Sequence, residues 1–88
     1  MERDIVIGKI YKHISGNYYR VLCIAKDSEN FDGVEARQLV IYESLGMDRS
    51  FWARPYNLFN EKIDKRNNPD SVQEYRFELV DDEINFGD

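Results

Sequence analysis

Eighty-eight residues, 42% apolar and 14% aromatic, are enough for one small domain with a compact core. A formal net charge of −5 and a pI near 4.8 speak against duplex nucleic acid, because phosphate-backbone binding needs a basic footprint. No run approaches the roughly 18 apolar residues of a membrane span, the opening MERDIVIGK lacks the apolar stretch of a signal peptide, and one cysteine forms no internal disulfide. A cytoplasmic, non-membrane protein is expected.

The chain reads as strands. The first is GKIYKHI, 8–14, closed by the turn SGN, where Gly16 and Asn17 tolerate positive φ. The second, YYRVLCIAK at 18–26, places Tyr19, Val21, Cys23 and Ala25 on one face, so Cys23 reads as a small core residue, and Leu22 and Ile24 on the other. DSENFDGVE, 27–35, is rich in turn formers and reads as a loop. ARQLVIYES, 36–44, is a β-branched and aromatic strand. After LGMD comes a fourth strand, SFWAR at 50–54, which Pro55 ends for want of an N–H. PYNLFNE fits one helical or 3₁₀ turn. KIDKRNNPDS is a polar loop, and QEYRFELV, 73–80, is a last strand with Tyr75, Phe77 and Leu79 alternating against Arg76 and Glu78.

The prediction is a mainly β protein. It is a small SH3-like barrel or roll of about five antiparallel strands with one short helical turn, an OB-like barrel being the alternative. Residues 1–80 form the single domain, and 81–88, DDEINFGD, form an acidic, solvated C-terminal tail. A small barrel's interior is filled by side chains, so a ligand would find only a shallow surface cleft.

Trp52 and Arg54 share strand parity and face the same way. An arginine is seldom fully buried unless paired, so the Phe51 and Ala53 face is expected to be the core side. A tryptophan beside a guanidinium offers stacking, cation–π attraction and a planar fork for anions, the chemistry of a nucleotide or carboxylate site. The plainer reading is that Trp52 caps the barrel while Arg54 pairs with Glu29, Glu43 or Glu61. His13, the only histidine, is a structural hydrogen-bonding residue or, in a catalytic reading, a general base. Asp27 and Ser28 suit local backbone hydrogen bonding, or Ser28 and Glu29 supply polar contacts to a ligand held against Trp52. Neither a phosphate-binding glycine motif nor zinc-type ligand spacing is present, so no metal or cofactor is expected.

The ordered motifs IYKHISGNYYRVLCIAKDSEN, LVIYES, FWARPYNLF and YRF resemble a small bacterial family catalogued as domain of unknown function sixteen fifty-three. The resemblance runs from about Gly8 to Phe77. It implies an SH3-type barrel and no established activity. The family's Tyr-x-His-x-x-Gly is matched by Tyr11, His13 and Gly16, and its Tyr-x-Val by Tyr19 and Val21. Its strand-ending tyrosine is matched by Tyr42. Its Trp-Val-Arg-Pro followed by Met-Phe is matched by Trp52, Ala53, Arg54, Pro55, Leu58 and Phe59. Three positions depart from the pattern. Asp27 opens the His-Ser-Glu-Thr motif in place of histidine, Asn30 replaces its threonine, and Ser15 stands where lysine is usual. A two-histidine acid–base site therefore does not carry over.

Three functions follow as expectations. The first is a non-catalytic binding module for a small ligand such as a nucleotide or modified base, held by Tyr11, His13, Ser28, Glu29, Tyr42, Trp52 and Arg54. The second is an interaction domain presenting an aromatic groove to a peptide. The third, least supported, is a hydrolase with His13 as base and Glu29 orienting it.

Overall fold

The computed structural model describes residues 3–31 and 36–80; the acidic tail assigned to 81–88 lies outside them. The five strands are β1 (Ile10–His13), β2 (Tyr18–Phe31), β3 (Ala36–Ser44), β4 (Phe51–Pro55) and β5 (Phe77–Leu79), with one short helix, α1 (Tyr56–Phe59), before β5. They form one antiparallel sheet in the order β4-β3-β2-β1-β5. The mainly β architecture predicted from sequence is the one observed.

The sheet is open, with β4 and β5 at its two edges and no backbone pairing between them. A flat sheet would separate those edges by about 19 Å, four strand spacings. Instead the Arg54 guanidinium of β4 lies 5.1 Å from the Phe77 ring centroid of β5. The sheet is therefore rolled, and side chains rather than a hydrogen-bonded seam bring its edges together.

A bulge helps to set that curvature. Val21 pairs with Tyr42, but the next pair is Cys23 with Ile41, so Leu22 is an extra residue in β2. The inserted residue inverts strand parity. Val21 is buried before it, and Ile24 packs on the core after it. Cys23, expected inside, is exposed. The expected 27–35 loop is also corrected: β2 continues as strand to Phe31, and the remainder of that loop lies outside the described residues. The first and last strands are shorter than the sequence suggested. Ahead of β5, Tyr75 makes only an isolated bridge to Lys62.

The β1–β2 hairpin turns through Gly16, whose φ is +102°. There Gly16 N–H donates to the His13 carbonyl at 2.8 Å, and His13 N–H donates to the Asn17 carbonyl at 2.8 Å. Gly8 also has a positive φ, +89°, and its N–H reaches the Val21 carbonyl at 2.8 Å. Pro55 closes β4 opposite Leu39 on an edge strand, where its missing N–H costs no ladder bond, and it precedes the first residue of α1. That single helical turn delivers Phe59 into the core.

The core cluster is Ile5, Tyr11, Val21, Val40, Tyr42, Phe59 and Phe77. Phe77, only 1% exposed, is its hub. It stacks on Phe59 at 4.1 Å and 12°, and meets Tyr42 and Tyr19 edge-on at 5.6 and 5.8 Å. No helix among the described residues is long and apolar enough to cross a membrane.

Candidate functional site

Cross-strand register decides which residues share the concave face. Trp52 lies opposite Tyr42, and Arg54 opposite Val40. Directly paired residues point to the same side of a sheet. Tyr42 and Val40 are buried, so Trp52 and Arg54 also belong to the inner face. The expected core residue Phe51 points outward and is 70% exposed. The reason lies in the length of arginine. Its guanidinium reaches across the inner face to the Phe77 ring and the Tyr42 hydroxyl, partners that let an arginine face inward.

Arg54 donates from Nε to the Tyr42 hydroxyl oxygen at 3.3 Å, with its charge over Phe77. Among the described residues no carboxylate stands within ion-pair distance of it. Glu61, one of its expected partners, instead accepts from Arg76 Nε at 2.6 Å. Glu43 pairs with Phe51, on the outer face.

His13 reaches the same place from β1. It lies opposite Phe77 in the ladder, and its ring meets Phe77 at 4.8 Å. Since both groups rest on one ring, the His13 imidazole and the Arg54 guanidinium are within about 10 Å of each other. Ser15 N–H donates to His13 Nδ1 at 3.1 Å, and Ser15 Oγ lies 2.9 Å from the same nitrogen. An accepting Nδ1 puts the neutral ring's proton on Nε2. Burial, with Arg54 and Arg76 nearby, holds the imidazole below its ordinary value of 6.5.

The other sequence candidates are placed as follows. Tyr42 is central to the site. Tyr11 is 1% exposed, and its hydroxyl oxygen accepts from Val6 N–H at 2.9 Å, so it serves the core. Trp52 is 52% exposed at the rim. Ser28 and Glu29 sit toward the far end of the 14-residue β2 from His13. At roughly 3.3 Å per strand residue that is well beyond contact. Asp27 takes the local role expected of it, accepting from Glu29 N–H at 3.0 Å and from Arg37 Nη2 at 3.2 Å. The structure thus gathers His13, Tyr42 and Arg54 on Phe77, with Trp52 on the same face of β4 as Arg54 and with Ser28 and Glu29 farther along β2. Among the described residues no group of three His, Cys, Asp or Glu could hold a metal ion.

Sequence reasoning missed Phe77 as the platform under both His13 and Arg54, and Arg3 altogether. The alternation in EYRFELV marks Phe77 as apolar, but only the rolled sheet carries it to Arg54. A cleft of about 560 Å³ is bordered by Arg3, Tyr56, Asn57 and Tyr75 rather than by Trp52. Its polar groups serve one another. Arg3 Nε donates to Asn60 Oδ1 at 2.6 Å, and Asn60 Nδ2 donates to the Arg3 carbonyl at 2.8 Å. Committed groups of this kind offer a ligand less than the open donors of Arg54.

These features define a small rolled β-sheet domain with a cationic, aromatic cluster where side chains of its edge strands meet, called the mouth below. The chain belongs to the family described as "Protein of unknown function (DUF1653)", whose pattern matches residues 9–79. All four residues of the mouth and Phe77 fall inside that span. No curated protein and no solved structure matches the chain.

Proposed function

We propose that the domain is a non-catalytic binding module whose mouth holds a small ligand on Trp52 and Arg54, with a nucleotide or modified base as the class that fits. The observation supporting this reading is Arg54, partly buried over Phe77 with no acidic partner among the described residues. A guanidinium held this way keeps its forked donors for an incoming anion. Trp52, on the same face, adds an exposed ring on which a planar base can stack. A hydrolase reading is weaker, because Ser15 engages His13 Nδ1 and Glu29 is too distant to orient the ring.

Trp52 is the only tryptophan, so its fluorescence reports on this mouth. Titration with AMP, adenosine, amino acids and short peptides is expected to give saturable quenching by AMP that Arg54→Ala abolishes. No response to any of these, together with an Arg54→Ala variant that fails to fold, would make the residue scaffold.

A separate observation favours a second reading. β4 is an edge strand carrying exposed Phe51, to which an extended peptide could add. Peptide binding there would persist in Arg54→Ala and perturb the backbone amides of β4.

A further inference from the structure

We infer that the group bound at this mouth is an oxyanion of the phosphate class, held jointly by Arg54, the Tyr42 hydroxyl and the Nε2–H of His13, and that its binding draws a proton onto His13. The inference rests on the binding reading above and adds the chemistry of the ligand to it.

The donor count carries the point. Arg54 spends Nε on Tyr42 and has no other protein partner among the described residues. The Tyr42 oxygen accepts that bond, so its own O–H proton is available to donate. Ser15 fixes His13 Nδ1 as an acceptor, leaving Nε2–H as a donor. All three groups pack on Phe77, with His13 at 4.8 Å, Arg54 at 5.1 Å and Tyr42 at 5.6 Å. Among the described residues no carboxylate pairs with Arg54, and Glu61 Oε1 accepts from Arg76 instead. A site that only donates is complementary to a ligand group that only accepts, and an ionised oxyanion is such a group.

The proton follows from charge. Arg54 of β4 and Arg76 before β5 are the cations acting on His13. Glu61 after α1 tempers Arg76, while Tyr19 and Tyr42 are the titratable groups of β2 and β3 on the same Phe77 ring. Lys12 precedes His13 on β1. An anion on Arg54 cancels repulsion and adds attraction, so the imidazolium becomes more favourable when the site is filled; the added proton goes to Nδ1, which gives up the Ser15 N–H bond and donates instead to Ser15 Oγ, 2.9 Å away. Affinity must then rise as pH falls.

His13 is the only histidine, so one imidazole resonance reports the site. The experiment follows that resonance by proton NMR from pH 5 to 8 in sodium chloride, and again in sodium sulfate at equal ionic strength. Sulfate keeps its charge throughout, so any pH dependence belongs to the protein. Parallel arms with AMP and adenosine separate a free anion from a phosphate ester. The expected result is a His13 midpoint below 6.5 in chloride that rises by about one pH unit in saturating sulfate or AMP, equivalent to about tenfold tighter binding at the acidic end. Adenosine should leave it unmoved, Arg54→Ala should abolish the shift, and His13→Gln should bind sulfate with an affinity independent of pH. AMP binding that depends on Arg54 but leaves the His13 midpoint in place would overturn this inference while the binding reading stands. Absence of binding by both sulfate and AMP would overturn both.

Discussion

Two arginines lean on the same aromatic cluster, and the fold uses them differently. Arg3 lies 3.7 Å from the Tyr75 centroid and 5.5 Å from that of Tyr11. It donates to Asn60 Oδ1 and to the Phe77 carbonyl, and receives the Asn60 amide on its own carbonyl. Among the described residues Arg54 lies over one ring, Phe77, and makes one long hydrogen bond, to the Tyr42 hydroxyl. The same guanidinium is a clamp at one place and an open fork at the other. What separates the roles is the fraction of donors already spent, since each buried donor left unmade costs free energy unless a ligand or water takes it.

Removing what the two arginines share should have the largest effect. Phe77→Ala deletes the ring under Arg54 and the packing that reaches Arg3 through Phe59 and Tyr11, and should cost about 3–5 kcal/mol in urea unfolding. With a total of about 5–15 kcal/mol expected for a small domain, that change should leave the chain barely folded. A loss under about 1 kcal/mol would mean that the two regions are not coupled through Phe77.

Next comes the direct contrast. Arg3→Ala should destabilise by about 2–3 kcal/mol, because it removes charge-assisted hydrogen bonds and strands Asn60. Arg54→Ala should cost less than about 1 kcal/mol while abolishing AMP binding. Equal losses of stability would erase the distinction. Tyr42→Phe sharpens it further. Removing the hydroxyl should change stability by about 1 kcal/mol or less, yet weaken anion binding by freeing Arg54 Nε and deleting a donor.

A smaller effect concerns pH. The folded His13 midpoint lies below the ordinary 6.5, so on acidification the unfolded chain takes up the proton first. The contribution of neutral His13 is fully present above about 6.5 and is lost as pH falls through the folded midpoint. Thermal unfolding of wild type against His13→Gln should show that extra acid sensitivity in the wild type only.

Much of the fold was legible in the sequence, and the reason differs from strand to strand. ARQLVIYES coincides with β3, Ala36–Ser44, because β-branched residues and flanking turn formers agree there. The face of β2 beyond Val21 was not legible. A bulge has no side-chain signature, and the extra Leu22 turned Cys23 out and Ile24 in. On β4 the pairing of Trp52 with Arg54 was readable from parity. Which face was inner was not, because a guanidinium over an aromatic ring and bonded to a tyrosine hydroxyl can face the core without a carboxylate partner. His13 and Tyr42, both candidates from the sequence, meet on the Phe77 ring. Ser28 and Glu29 joined that expectation through polarity alone, and the length of β2 separates them from it.

The most direct test of the account is the AMP-dependent thermal shift of wild type beside Arg54→Ala. At 100 times its Kd, AMP should stabilise the wild type by roughly 2.7 kcal/mol, a rise of about 10 °C or more for a domain of this size. Arg54→Ala, with nearly the same midpoint in buffer, should not move. A variant that melts far below wild type in buffer, with AMP shifting neither protein, would make Arg54 a second clamp like Arg3 and contradict the claim that it is held open for a ligand.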